Sequence, residues 1–192
     1  MANDNLFNQQ NIQSFYAAAQ SHDFARQHLF RVTNINTNTQ SIQFDTDDYL
    51  YITTASLPKR SIKNIKLPYM GLGFNIPGTA EYPGNEAWNV TFRMPANLSI
   101  REKLEAWTQY IFDDENSTGA YELGALGTLD LALYNKAGNA IRSYKLEGVF
   151  CVSLGDYNLD VKSGGDIIEQ SATLAYQYWR ANPGPASNNF GF

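Results

Sequence analysis

Trp88-Asn-Val-Thr-Phe-Arg-Met94, followed after a short gap by Ser99-Ile-Arg-Glu-Lys-Leu-Glu-Ala-Trp107, decides how this chain is read. In the first segment Trp88, Val90 and Phe92 alternate with Asn89, Thr91 and Arg93. That is the period of two that gives a strand one apolar face. In the second segment the period changes: Ile100, Leu104, Trp107 and Ile111 fall at i, i+4, i+7 and i+11, one stripe along a helix. Ser99-Ile-Arg-Glu102 has the form of a capping box and predicts the helix start. A helix with one apolar stripe needs a sheet to cover that stripe.

Working outward, further strands appear. Thr128 to Tyr134 alternates through Leu129, Leu131 and Leu133, and Asn135-Lys-Ala-Gly-Asn139 reads as a hairpin turn. The return strand runs from Ala140 to about Gly148 and continues through Val149 to Ser153 after a break at Gly148. Ile167 to Arg180 is the longest strand pattern, with Ile168, Gln170, Ala172, Leu174, Tyr176 and Tyr178 on one face. Towards the N-terminus, His28 to Ile35 alternates, with Phe30 and Val32 on one side, and Asn34 to Gln40 reads as a loop or hairpin tip. Tyr49 to Thr54 reads as a strand running into Leu57-Pro58, and Ile62 to Leu67 as another, stopped by Pro68. The glycine-dense stretch Gly71 to Gly78 lacks a Walker lysine, so close backbone packing or a bulge is expected there. Asp45-Thr-Asp47-Asp48 lacks the glycine and closing Glu of a calcium loop and reads as a solvated acidic turn.

The expected fold is mainly β, a two-sheet sandwich or barrel with one flanking α-helix. Its core is expected to include Phe30, Val32, Trp88, Val90, Leu104, Trp107, Leu174 and Trp179. Residues 1–22 form an N-terminal arm, 23–180 the β-domain and 181–192 a flexible tail. Ile12, Phe15, Tyr16 and Ala19 lie on one helical stripe, but so short a helix is marginal alone. A helix and a floppy arm both stay open.

Composition narrows the function. The 192 residues carry 14 Lys+Arg against 19 Asp+Glu, a net charge of −5, which argues against a nucleic-acid grip. Hydrophobic residues at 43% exclude wholesale disorder, and no apolar run approaches a membrane span. The first residues show no basic and apolar signal pattern, so no secretory signal is expected. Cys151 is the one cysteine, which excludes an intramolecular disulfide and suggests a reducing compartment. With His22 and His28 it makes only three His/Cys ligands, so neither a metal, a cofactor nor an enzyme is expected. Aromatics at 14% beside 17% charge suit packed sheets or a large polar-aromatic interface.

Four stretches carry a family pattern. Asp23-Phe-Ala-Arg26 precedes Leu29-Phe30-Arg-Val32; Thr54-Ala-Ser-Leu57-Pro58 precedes Ile62 to Pro68. Trp88-Asn-Val-Thr91 leads to a helix carrying Trp107. Leu146-Glu-Gly148-Val-Phe and Leu174-Ala-Tyr-Gln-Tyr178-Trp179 come last. In this order and spacing they resemble the T4-like tail tube protein family of contractile-tailed bacteriophages, over most of Asp23 to Trp179. The resemblance implies a β-sandwich subunit that closes six-membered rings, each copy lending about four strands to one inner barrel. Rings then stack into a tube inside a contractile sheath, with baseplate and terminator proteins at its ends. A barrel of about 24 strands would have a backbone diameter near 48 Å, wide enough for a duplex. Phage DNA would pass through without specific binding, and an acidic wall suits that passage.

The implied localisation is the virion tail, assembled in the host cytoplasm without a membrane span. Expected subunit or ring contacts are Phe15 on the arm and Asp23, Phe24 and Arg26 at the start of the β-domain, with Leu57, Pro58, Lys59 and Arg60 on a loop. Asp23 and Arg26 would pair across subunits, while Leu57-Pro58 either turns a loop toward the adjacent ring or simply ends a strand. The alternatives are the tube of a type VI-like injection system and a monomeric carbohydrate-binding sandwich. A hydrolase lacks an acid–base pair.

Overall fold

The computed structural model describes residues 12–21, 24–82, 88–120, 122–157, 159–162 and 164–183. His22 and Asp23 therefore lie outside the described residues, and with Asp23 the pairing expected of it with Arg26. The elements in chain order are α1 (Ile12–Ser21), β1 (Phe30–Asn36), α2 (Thr46–Leu50), β2 (Ile52–Ala55), β3 (Ser61–Tyr69) and β4 (Leu72–Glu81). There follow β5 (Trp88–Arg93), α3 (Ser99–Ile111), β6 (Gly127–Tyr134), β7 (Ala140–Leu154), β8 (Glu169–Ala175) and β9 (Tyr178–Pro183).

All strand pairs are antiparallel, and β7 belongs to two sheets. Its first half, Arg142 to Glu147, lies between β6 and β9, and β6 carries β1 on its far side. Its second half, Phe150 to Leu154, pairs with β8, which leads on to β5 and β2. The turn from one sheet to the other falls at Gly148, where φ is +69°. A Cβ there would stand 2.5 Å from Cγ of Gln177. Opposite it, the expected single strand from Ile167 to Arg180 is broken at Tyr176-Gln177 into β8 and β9. The Gln177 N–H donates to the Glu147 carbonyl at 2.9 Å, so the two bends are bonded to one another. The alternation of two runs unbroken through the bend, which is why periodicity alone reads one strand.

The inner faces of the two sheets and one stripe of α3 enclose a single core. Val32, Trp88, Val90, Leu104, Trp107 and Leu174 are within 1% of complete burial. Phe30 and Trp179 are only partly buried and pack against that core from outside. Ile100 completes the α3 stripe, and the Trp107 ring meets Phe44 edge-on at 6.1 Å. Gln170, fully buried, joins helix to sheet. Its Oε1 accepts from Arg101 of α3 and its Nε2 donates to the Gly155 and Ser171 carbonyls. With donors and acceptor all engaged, its burial costs little. Burial pushes the Cys151 thiol up to about 12, so it stays protonated and inert at neutral pH. Among the described residues no helix is long and apolar enough to cross a membrane.

Four local readings change. In β1 a bulge between Val32 and Asn34 puts both Val32 and Ile35 inward, against simple alternation. Tyr49-Leu50 belong to α2, not to a strand, because the acidic run before them starts a helix. The Asp45 N–H donates to the Asp48 carboxylate at 2.8 Å, and Lys103 reaches Asp48 at 2.6 Å and Asp45 at 2.9 Å. Burial opposes the charge on Lys103, but the two carboxylates outweigh it and raise its pKa. At α3 the capping box does not form at Ser99: the chain turns at Pro95–Leu98, and Leu98, at φ +53°, is the N-cap. The Asn97 side chain accepts the Ser99 N–H instead, at 3.2 Å. Finally, Pro68 does not end β3. The glycine-dense stretch is strand β4, and the bulge and close packing expected of it fall at Gly78: the register shifts between Ile62 and Asn64, and a Cβ at Gly78 would stand 3.0 Å from the Lys63 carbonyl oxygen.

Gly148→Ala is expected to cost about 2 kcal/mol in urea unfolding, since left-handed backbone and the Gln177 contact both oppose a Cβ. Gly124→Ala, with open space around the position, is expected to change stability by less than about 0.5 kcal/mol.

Candidate assembly surfaces

β2 and β5 pair with each other, yet the chain between them makes a long excursion, the β3–β4 hairpin. Met70-Gly71 forms its tip, both residues at positive φ. The register sets Ile65 opposite Ile76, Leu67 opposite Phe74 and Tyr69 opposite Leu72. These six side chains share one face, while Asn64, Lys66, Pro68, Gly73, Asn75 and Pro77 take the other. All six are 42–65% exposed. A two-stranded ribbon tolerates Pro68 and Pro77 because each strand has an outer edge that needs no donor. Such a ribbon is marginal alone in water, and an apolar face of this length is a surface awaiting a partner. The excursion is also basic: Lys59, Arg60, Lys63 and Lys66 stand against Glu81 in an otherwise acidic chain.

The root of the hairpin is held tightly. The Lys59 N–H donates to the Tyr176 hydroxyl at 2.8 Å, and that hydroxyl donates to the Lys59 carbonyl at 2.8 Å. Trp179 Nε1–H donates to the same carbonyl at 3.0 Å. Just beyond β4, the Tyr82 ring stands edge-on to Tyr176 at 6.3 Å, with the Arg60 guanidinium 6.0 Å over its face. Leu57 is half-exposed, Pro58 partly buried, and Lys59 and Arg60 are exposed, all at this root. The loop residues singled out from sequence are thus the base of a projecting element.

Three strand edges complete the picture. Among the described residues β1, β2 and β9 each pair with one strand only, leaving one edge apiece available to another chain. Between β1, β6 and β2 a groove of about 770 Å³ opens, lined by Phe30, Ile52, Leu57, Leu131 and Leu133, with Arg26 at its rim. The arm carries α1, whose Ile12, Phe15 and Tyr16 are exposed; Phe15 stacks on Phe24 at 5.8 Å. Phe15 lies on this arm and Phe24 packs against it, whereas Arg26, just after the arm, and Leu57 of the hairpin root line the same groove. The hairpin face and the Tyr176 clamp were not read from sequence. The signal was there in Ile65-x-Leu67-x-Tyr69 and Leu72-x-Phe74-x-Ile76, hidden by the prolines and glycines between.

Comparison with known proteins bears on all of this. The family profile described as "Phage tail tube protein" matches residues 19–182. Tail tube protein gp19 of Enterobacteria phage T4 is 24% identical over 164 residues, covering 84% of this chain and 94% of that one. The fold is shared with a chain in the cryo-EM structure of the anti-feeding prophage baseplate, at a TM-score of 0.60 and 14% identity. That match covers 84% of this chain and 97% of the other. A chain of an extracellular contractile injection system sheath–tube complex in the extended state also matches, at a TM-score of 0.55 and 17% identity. It covers 87% of this chain and 97% of the other.

Replacing Leu67 and Phe74 together by Ser is expected to leave the unfolding midpoint of the isolated chain nearly unchanged, because both side chains face solvent. The same variant is expected to bind a hydrophobic fluorescent dye at about half the level of the parent or less.

Proposed function

The chain belongs to the phage tail tube protein family, and we propose that it is the structural subunit of the inner tube of a contractile-tailed bacteriophage. In this reading six copies close a ring, rings stack head to tail, and the hollow stack conducts genomic DNA into the host. Sheath protein surrounds the tube, while baseplate and terminator proteins bound its ends. Likeness to chains from a baseplate and from a sheath–tube complex supports these partners. The subunits assemble in the host cytoplasm and end in the virion. The role is structural and non-enzymatic, which family membership supports.

The observation that carries the assembly reading is the hairpin. Covering a half-exposed apolar side chain gains about 1 kcal/mol, so six of them offer on the order of 6 kcal/mol before association costs. That is weak for one contact. Presented six times by a closed ring it becomes strong, since the later contacts form at high effective concentration. The contact is heterologous, hairpin to a different surface of the next copy, and such contacts propagate into filaments. The basic hairpin meeting an acidic body favours the same head-to-tail sense. Free edges on β1, β2 and β9 provide the lateral joints that close a ring. The arm, with Phe15 and Phe24, docks on a neighbouring subunit.

Electron microscopy with sedimentation over a range of concentrations tests this. The parent is expected to give six-fold rings at low concentration and hollow tubes at high concentration. The Leu67→Ser/Phe74→Ser variant should stop at rings, and deleting residues 1–20 should leave the fold intact but raise the concentration needed for tubes. A parent that stays monomeric with and without baseplate, or tubes unaffected by the hairpin variant, would overturn the corresponding part of the reading.

A further inference from the structure

We propose that Tyr176 and Trp179 are positioning residues for ring stacking: they fix the angle of the β3–β4 hairpin so that its apolar face is presented already aimed at the next copy. The inference rests on the reading that this hairpin seats on a neighbouring ring.

Three hydrogen bonds converge on the main chain of Lys59, the residue two before β3. Both polar groups of that peptide segment are engaged by side chains 117 and 120 positions away. One hydroxyl, that of Tyr176, serves Lys59 as acceptor and donor together. The second strand is fastened to the same tyrosine through the Tyr82 ring, directly after β4. Tyr176 can act as an anchor because it is itself buried, at 4% exposure, in the bend between β8 and β9. Burial raises its pKa, opposed in part by the Lys59 bond, so the hydroxyl keeps its proton at neutral pH.

Geometry makes this angle matter. A nine-residue strand spans about 30 Å, so ten degrees of slack at the root moves the tip by roughly 5 Å. A slack of that size is large beside the fit of packed side chains. A hairpin free to swing would have to be ordered during docking, and that cost comes directly out of the contact. The clamp removes it beforehand. It also ties the axial contact to the corner formed by β7, β8 and β9, and Trp179 lies on β9, which pairs with β7 alone and has a free edge among the described residues. Formation of a lateral joint at β9 would steady Trp179 and hence the hairpin.

The test is Tyr176→Phe in the full-length chain, which keeps the ring and removes only the hydroxyl. Loss of the two Lys59 bonds is expected to speed amide exchange across residues 61–81 by about tenfold in the unassembled subunit, with exchange in α3 unchanged. Rings should still form, while the concentration needed for tubes rises by about tenfold. Trp179→Phe, which removes one bond and keeps Tyr176, should act in the same direction by about threefold, and it stands in if the first variant does not fold. Exchange in 61–81 equal to the parent would overturn the clamp. Faster exchange with unchanged stacking would overturn its role in positioning. Normal tubes from Leu67→Ser/Phe74→Ser would instead sink the hairpin reading beneath it, leaving the exchange result to decide the clamp by itself.

Discussion

The bend of β7 at Gly148 sets the place of every other strand. Two sheets share this one strand, and they share it only because a residue without Cβ can take φ +69° against Gln177. The β8–β9 break at Tyr176-Gln177 matches the bend from the other side, locked to it by the bond from Gln177 to Glu147. What results is a corner, not two independent layers. On its inside lie Leu146, Val149 and Leu174, all buried to within 1%. On its outside Tyr176 and Trp179 grip the root of the hairpin. Fold and assembly surface therefore have one mechanical origin.

As a single chain this arrangement leaves apolar surface uncovered. Among the described residues it exposes a ribbon with six apolar side chains on one face and, besides the two ribbon strands, leaves β1, β2 and β9 with one partner each. Natural sheets cap such edges or close them into barrels. In the proposed ring, closure would pair these edges and make the lateral contacts largely main-chain. In that reading specificity falls on the hairpin, whose apolar side chains rather than peptide groups would meet the neighbour.

Much of the fold was legible in the sequence wherever one rule acted alone. The β5 alternation, the α3 stripe and the β6–β7 turn at Asn135–Asn139 all appear as their periods and turn residues require. Failures occurred where two rules competed. Tyr49-Leu50 favour a strand by propensity, but the carboxylates of Asp45 and Asp48 at a helix start, steadied by Lys103, prevail. Ser99 had the right neighbour in Glu102, yet the turn through Pro95 placed the cap one residue earlier, at Leu98. Pro68 and the glycines of β4 mark breaks in a central strand and are tolerated in an exposed ribbon. Among the residues proposed for assembly, Leu57 to Arg60 were legible as a special loop, through Pro58. Their place at the hairpin root was not: it rests on the main chain of Lys59, held by side chains more than a hundred residues away, a relation no local pattern encodes.

A cryo-EM reconstruction of the assembled protein tests the central claim most directly, because it shows both what covers the hairpin and what pairs with the strand edges. The account predicts Ile65, Leu67, Tyr69, Leu72, Phe74 and Ile76 buried against the adjacent ring, with strands continuous from one subunit to the next around the lumen. An assembly in which this face points into solvent, or in which the subunits touch only through side chains with their strand edges open, would contradict it.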